Sequence, residues 1–289
     1  MIDSNAKVCV VYLAWLPYGM QHFRNFIGSY CRHEAGHPHD LVIAFNGLAL
    51  PHQDGPEAYL QYMEEAGVSV FRTVNFSKGQ DIEIYSQMAG NLHHDFILYL
   101  NTYSVLLTDQ WLKLYVQGWE AGRGVLSATG SWQSYYSSVF GLNKWMWEKG
   151  ESFTNFIRKI KLMIKASLYW RFLFDKFPNH HVRTNAFFTE RALFEKVTRG
   201  LRIHSKFDAY LFESGKRGMT RMIESMGRTV AIVDRFGQVY DQQEWPQARV
   251  FRIGHQENLL VSDNQTNEYE LAQDEQRQLL TRLTWGNHG

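Results

Sequence analysis

Five short apolar runs, each closed by a turn or a polar cluster and separated by segments with helical spacing, constrain this chain more than any other feature. They are KVCVVYLAWLP (7–17, closed by Pro17 and Gly19), DLVIAFNG (40–47), VSVFRTVN (68–75), DFILYLNTYS (95–104) and GVLSATGSW (124–132). Runs of this length bounded by turn signals suit strands buried on both faces of a parallel sheet. The segments between them read as helices. The first spans 21–31, with Phe23, Phe26, Ile27 and Tyr30 at helical steps; others span 57–66, a stretch opened by Asp81, and 109–120. Such alternation predicts an α/β fold, with a mostly parallel central sheet and helices on both faces.

Charge narrows the partners. Thirty Lys and Arg against twenty-nine Asp and Glu leave a formal net charge of +1, so no global field draws a polyanion and nucleic acid is not expected. Cys9 and Cys31 fall in a strand and a helix of this scheme, and the expectation is two buried thiols in a reducing compartment. No signal-peptide pattern and no apolar run of about 18 residues occurs, so a cytoplasmic location is expected.

The fourth run ends in Asn101-Thr102-Tyr103-Ser104 just before a helix. Ligands of open α/β sheets sit outside the carboxyl ends of the strands, which makes this cluster the first candidate for chemistry. No Gly-rich dinucleotide fingerprint and no P-loop stands at a strand-to-helix turn. His33, His37 and His39 are not expected to form a tetrahedral metal set, because Gly36 and Pro38 interrupt any helix there. From Asn143 to Lys176 the chain carries eight Lys or Arg against three Asp or Glu, and an amphipathic basic helix is expected over 151–175. That helix has two readings, a packed helix with a solvated basic face or an interfacial helix on anionic lipid. The end of the chain is acidic and Gln-rich, and its last dozen residues are expected to be poorly ordered.

Over roughly residues 7–235 this order of parts resembles the GT-A fold of nucleotide-sugar-dependent glycosyltransferases, especially the bacterial family-two-like enzymes of surface polysaccharide synthesis. The resemblance implies a D-x-D metal motif at the end of the fourth strand, where this chain reads Asn101-Thr102-Tyr103. Mg²⁺ and Mn²⁺ prefer anionic oxygens, and Asn offers a neutral amide oxygen. Three explanations stay open: diphosphate neutralised by Lys or Arg without metal, a weak Mg²⁺ or Mn²⁺ site, or lost catalysis. Arg183, Lys216, Arg217 and Arg221 are the cations available for the first.

Carried over residue by residue, the resemblance makes Glu213 the general base toward the acceptor, with Asp208 as the alternative; a helix-terminal acid is the competing reading. It places Ala14, Asn46, Asp81, Asn101 and Tyr103 near the donor, although Asp81 also suits a first-turn helix acid. His181, Arg183 and Asn185 alternate along an expected strand and would point to one face together, suiting either contact with a phosphate or the acceptor's hydroxyls, or buried polar satisfaction of neighbouring loops. Trp132 is a candidate to stack on a sugar ring, with core packing as its alternative.

The implied activity is inverting transfer of a sugar from a nucleotide-sugar donor to a bacterial surface glycan or lipid-linked acceptor. It would take place in the cytoplasm or on the inner face of the cell membrane. In that scheme residues 1–135 form the donor half, 136–250 the acceptor-side half and 251–289 a tail of a single domain. Two rivals are a catalytically inactive GT-A-like domain that binds a glycan or partner, and a nucleotidyltransferase. The second lacks the expected Gly-rich phosphate loop with a following Lys near residue 14.

Overall fold

The computed structural model describes residues 2–3, 5–141 and 153–287. The expected strand–helix alternation is present. Strand β1 (Val8–Trp15) is followed by the helix Met20–Arg32, β2 (Asp40–Asn46), the helix Pro56–Glu65, β3 (Arg72–Phe76), the helix Asp81–Asn91 and β4 (Phe96–Leu100). A two-residue strand, β5 (Val105–Leu106), precedes the helix Trp111–Gln117, β6 (Arg123–Ser127) and β7 (Gly130–Ser131). Next come β8 (His181–Val182), β9 (Ala186–Glu190), β10 (Thr229–Val233), β11 (Val239–Tyr240) and β12 (Val261–Ser262).

Eight strands form one sheet in the order β11-β10-β6-β9-β4-β1-β2-β3. The pairs β1–β2, β1–β4, β2–β3 and β6–β10 are parallel, whereas β9 runs antiparallel to both β4 and β6. Alternation along β1 shows why that strand had to be apolar throughout. Cys9, Val11 and Leu13 pack on one face, with Ile84, Met88, Phe194 and Ile223 from helices. Val10, Tyr12 and Ala14 pack on the other, with Phe23, Phe26, Tyr59 and Trp111. Successive side chains of a strand point to opposite faces, so a sheet covered on both sides tolerates no polar position in its middle strand.

Three expectations change. Cys9 is buried but Cys31 is exposed, because it lies on the outward side of its helix. The segment Lys206–Ser214 is itself a helix, so Glu213 stands at a helix end instead of a helix start. The C-terminal segment is folded: β12 pairs with β5, and a helix runs Asp274–Trp285 with Trp285 fully buried. Trp285 Nε1 donates to the Phe251 carbonyl at 2.7 Å, and its ring meets Trp132 edge to face at 5.7 Å. Residues 142–152 of the basic segment lie outside the described residues.

Candidate active site

The polar cluster after β4 is a tight turn whose side chains mostly hold the turn itself. The Thr102 hydroxyl donates to the Leu13 carbonyl at 2.8 Å and accepts from the Trp15 N–H at 3.2 Å. The buried Tyr12 hydroxyl donates to the Thr102 carbonyl at 2.6 Å. Asn101 Oδ1 accepts from the Tyr103 N–H and the Ser104 hydroxyl, each at 3.1 Å. The Asn101 N–H donates to the Asn185 carbonyl at 3.0 Å, tying this turn to the segment before β9. An antiparallel strand begins at the edge where its parallel neighbours end. Arg183, Thr184 and Asn185 therefore arrive beside Asn101.

Beside this turn lies a cleft of about 340 Å³, lined among others by Asp81, Asn101, Tyr103, Arg183, Asn185 and Glu213. An adjoining cavity of about 310 Å³ is lined by His181, Ser131, Phe251 and Arg252, and shares Arg183, Tyr210, Glu213 and Gln265 with the first. Another hollow of about 540 Å³, near Ile2, Asp95, Trp119 and Arg228, lies at the start of β4. It is at the wrong edge of the sheet to meet the polar strand ends.

Glu213 sits between the two compartments with one oxygen fixed. Its Oε2 accepts from the Thr184 N–H at 2.9 Å and the Thr184 hydroxyl at 2.7 Å, while Oε1 has no hydrogen-bond partner among the described residues. Asp81 opens its helix. Its carboxyl is open to water along the cleft yet enclosed by protein on its other sides. That enclosure pushes its pKa up to about 6, against the pull of its own backbone amide and of Lys206. His181 is buried, with Nδ1 2.7 Å from the Asn179 carbonyl; burial lowers its pKa and Glu213 pulls it back up.

Arg183 is buried and already compensated. It donates to Asp263 Oδ2 at 2.7 Å and to the Thr129 hydroxyl at 3.2 Å, with its guanidinium 4.1 Å over the Phe251 ring. Asp263, fully buried, also caps the helix Asn264–Leu271 by accepting from the Gln265 and Thr266 amides. Desolvating both charges costs several kcal/mol each, so the pair persists only because these hydrogen bonds complete it. Asn185 accepts from the Thr129 hydroxyl at 2.9 Å, but its buried amide nitrogen has no partner among the described residues.

Other expected site residues lie elsewhere. Ala14 and Asn46 are buried strand ends outside the cleft lining, with the Asn46 amide donating to the Gly79 carbonyl at 2.9 Å. Asp208 closes the capping box of Ser205, whose hydroxyl holds that carboxyl below its usual pKa. Lys216 donates to the Arg171 carbonyl and lies 3.9 Å from Asp175. It and the exposed Arg217 follow the helix end on a turn outside both cavities. Trp132 is buried and donates to the Gln242 carbonyl at 3.0 Å. Sequence reasoning missed Lys206, Tyr210, Asp263 and Gln265. Asp263 followed by Thr266 is a readable capping signature, but its return to the β4 end depends on the β5–β12 pairing.

The residues do not fit a tight divalent metal site at the end of β4. Asn101 Oδ1 already accepts two hydrogen bonds, Asp263 is committed to Arg183 and its helix cap, and the remaining carboxylates of the cleft are Asp81 and Glu213. Among the described residues no group of three or more His, Cys, Asp or Glu is placed to hold a metal ion.

Fold and site together define an α/β protein with a crevice at the carboxyl ends of the parallel strands. No family model and no curated protein matches the chain. Solved structures that resemble it include the Pyrobaculum calidifontis mannosyltransferase PcManGT in complex with GDP-Man and Mn²⁺. That match is 10% identical, covers 86% of this chain and 62% of that chain, and has a TM-score of 0.45. The apo-form glycosyltransferase GlyE of Streptococcus pneumoniae is 12% identical over 78% and 45%, with a TM-score of 0.40. S. aureus TarS 1–349 is 10% identical over 42% and 34%, with a TM-score of 0.33. The chain covers less than two thirds of the length of each. The likeness is remote.

Proposed function

We propose that this chain is a GT-A-like inverting glycosyltransferase that uses a nucleotide-sugar donor. The observation that carries the reading is the placement of Glu213, one oxygen anchored by Thr184 and the other without a partner, where two adjoining cavities meet. The donor occupies the cleft beside Asn101 and Asp81, and the acceptor hydroxyl enters from the cavity beside His181. As that oxygen attacks the anomeric carbon, Glu213 Oε1 takes its proton and the diphosphate leaves. The exposed Tyr18 ring, grouped with the half-buried Trp15 and Tyr103, offers a face to a base, with Tyr18 and Tyr103 5.5 Å apart. The Asn185 amide nitrogen would gain a missing acceptor from a ligand oxygen. Arg183 and Lys206 are the cations lining the donor cleft.

Glu213→Gln keeps the shape and most of the Thr184 contact. It is expected to lower turnover about 10²–10⁴-fold at unchanged donor affinity, read as kcat against calorimetric Kd over a panel of nucleotide sugars. Full turnover in that variant removes Glu213 from the chemistry.

One observation favours a second reading. Three carboxylates, Asp81, Glu213 and Asp263, face two cations in the cleft lining, a balance that repels a bare diphosphate. A glycan-binding domain without transfer would suit it. Failure of every nucleotide sugar to bind, with and without Mn²⁺, decides for that reading.

A further inference from the structure

The continuous helical stretch Phe153–Leu173, made of an α-helix, a π turn over Ala166–Trp170 and a last short turn, has two unlike sides. Its inner side is anchored by the buried Trp170, which continues into Phe174. Their rings pack on Tyr135 at 4.7 and 5.1 Å and on Phe207 at about 6 Å. Its outer side exposes Ile164, Leu168, Tyr169 and Phe172, each more than half accessible. Arg158, Lys161, Lys165 and Arg171 are exposed along the same stretch, and no Asp or Glu occurs between Phe153 and Phe174.

We propose that this face docks on an anionic lipid surface. Isolated exposed apolar side chains need no explanation, but four large ones on one helical stretch whose own charged residues are all cations do. Acyl-chain boundary and headgroup phosphates match the two components together: apolar side chains sink to the boundary while Lys and Arg reach the phosphates. The charge complementarity selects lipid over a second copy of this chain, whose same face would bring like charges together. No helix among the described residues is long and apolar enough to cross a membrane, so the attachment is peripheral.

The surface also sets where the cleft opens. Tyr210, which lines both cavities, stacks on Tyr135 at 5.5 Å, and Tyr135 packs on Trp170. Tyr135 itself lines the cavity beside His181, so one ring contact, Trp170 on Tyr135, separates the docking helix from that compartment of Glu213. Under the sugar-transfer reading, on which this last step alone rests, the acceptor is drawn from that lipid surface.

Flotation of the full chain with phosphatidylcholine vesicles, with and without phosphatidylglycerol, tests the proposal. Association is expected with the phosphatidylglycerol vesicles and is expected to weaken as salt is raised. Lys161→Glu with Lys165→Glu should reduce the partition coefficient at least about tenfold. Leu168→Ser with Phe172→Ser should abolish it with far-ultraviolet dichroism unchanged. No association with phosphatidylglycerol vesicles at low salt overturns the proposal, as does association that both variants retain. Self-association removed by Leu168→Ser and Phe172→Ser, without vesicle binding, overturns it in favour of a dimer. Loss of the transferase reading would show in turnover and nucleotide calorimetry, and leaves flotation untouched.

Discussion

Asp81 shows how enclosure at a cleft floor turns into a pH dependence with a definite sign. In the unfolded chain its carboxyl loses its proton near the ordinary 3.8, and in the fold near about 6. Between those values the folded state holds a proton that the unfolded state does not, so stability from this group falls as pH rises through the window. Asp81→Asn is therefore expected to melt above the parent at neutral pH, with the difference closing as the pH drops toward the ordinary carboxyl value. Thermal melts of both proteins across that range measure it; a difference independent of pH would show that the carboxyl is not raised. At this scale the sequence brings forward residues that the fold gathers: Asn101, Tyr103, Asp81, Asn185, Arg183 and Glu213 all line one cleft, and variants test their roles. Lys216 and Arg217 lie outside it, because the turn after a helix can aim at either side, and Lys216 faces Asp175.

Elements with strong periodicity were legible, and the C-terminal helix was not. Asp274–Trp285 reads as polar, with two acids against two arginines, and nothing local reveals that Trp285 will meet Trp132, more than a hundred residues earlier. Burial of that one ring, with its indole N–H satisfied by the Phe251 carbonyl, is what anchors the helix. Trp285→Ala is expected to cost about 3–5 kcal/mol in urea unfolding, whereas Trp285→Phe should retain most of the packing and lose the hydrogen bond. A cost near zero would mean the helix is held elsewhere. The same long-range dependence hid Asp263 and Gln265 from view. Their place at the cleft follows from two-residue pairing between β5 and β12, which carries too little pattern to read in advance.

For the molecule as a whole, the sheet does not divide near residue 135, where the sequence suggests passing from a donor half to an acceptor-side half. The parallel group β3-β2-β1-β4 and the pair β6–β10 are joined only through β9. A chain ending before Ala186 would leave the facing edges of β4 and β6 without partners, and unpaired central edges invite pairing with other chains. Residues 1–185 expressed alone are expected in the insoluble fraction, with the full chain soluble; a monodisperse soluble fragment would contradict this.

The reversed strand also sets a timetable for biosynthesis. A ribosome releases β1 to β4 early and β6 soon after, yet the gap between β4 and β6 stays open until the codons for Ala186–Glu190 have been read and their residues have cleared the exit tunnel. Throughout that interval the nascent protein carries three unpaired margins of what will become a central sheet, one on β4 and both on β6, whose other partner β10 is made later still. Its safe production therefore depends on shielding by chaperones or on pace of translation, a demand that strictly sequential strand addition would not impose.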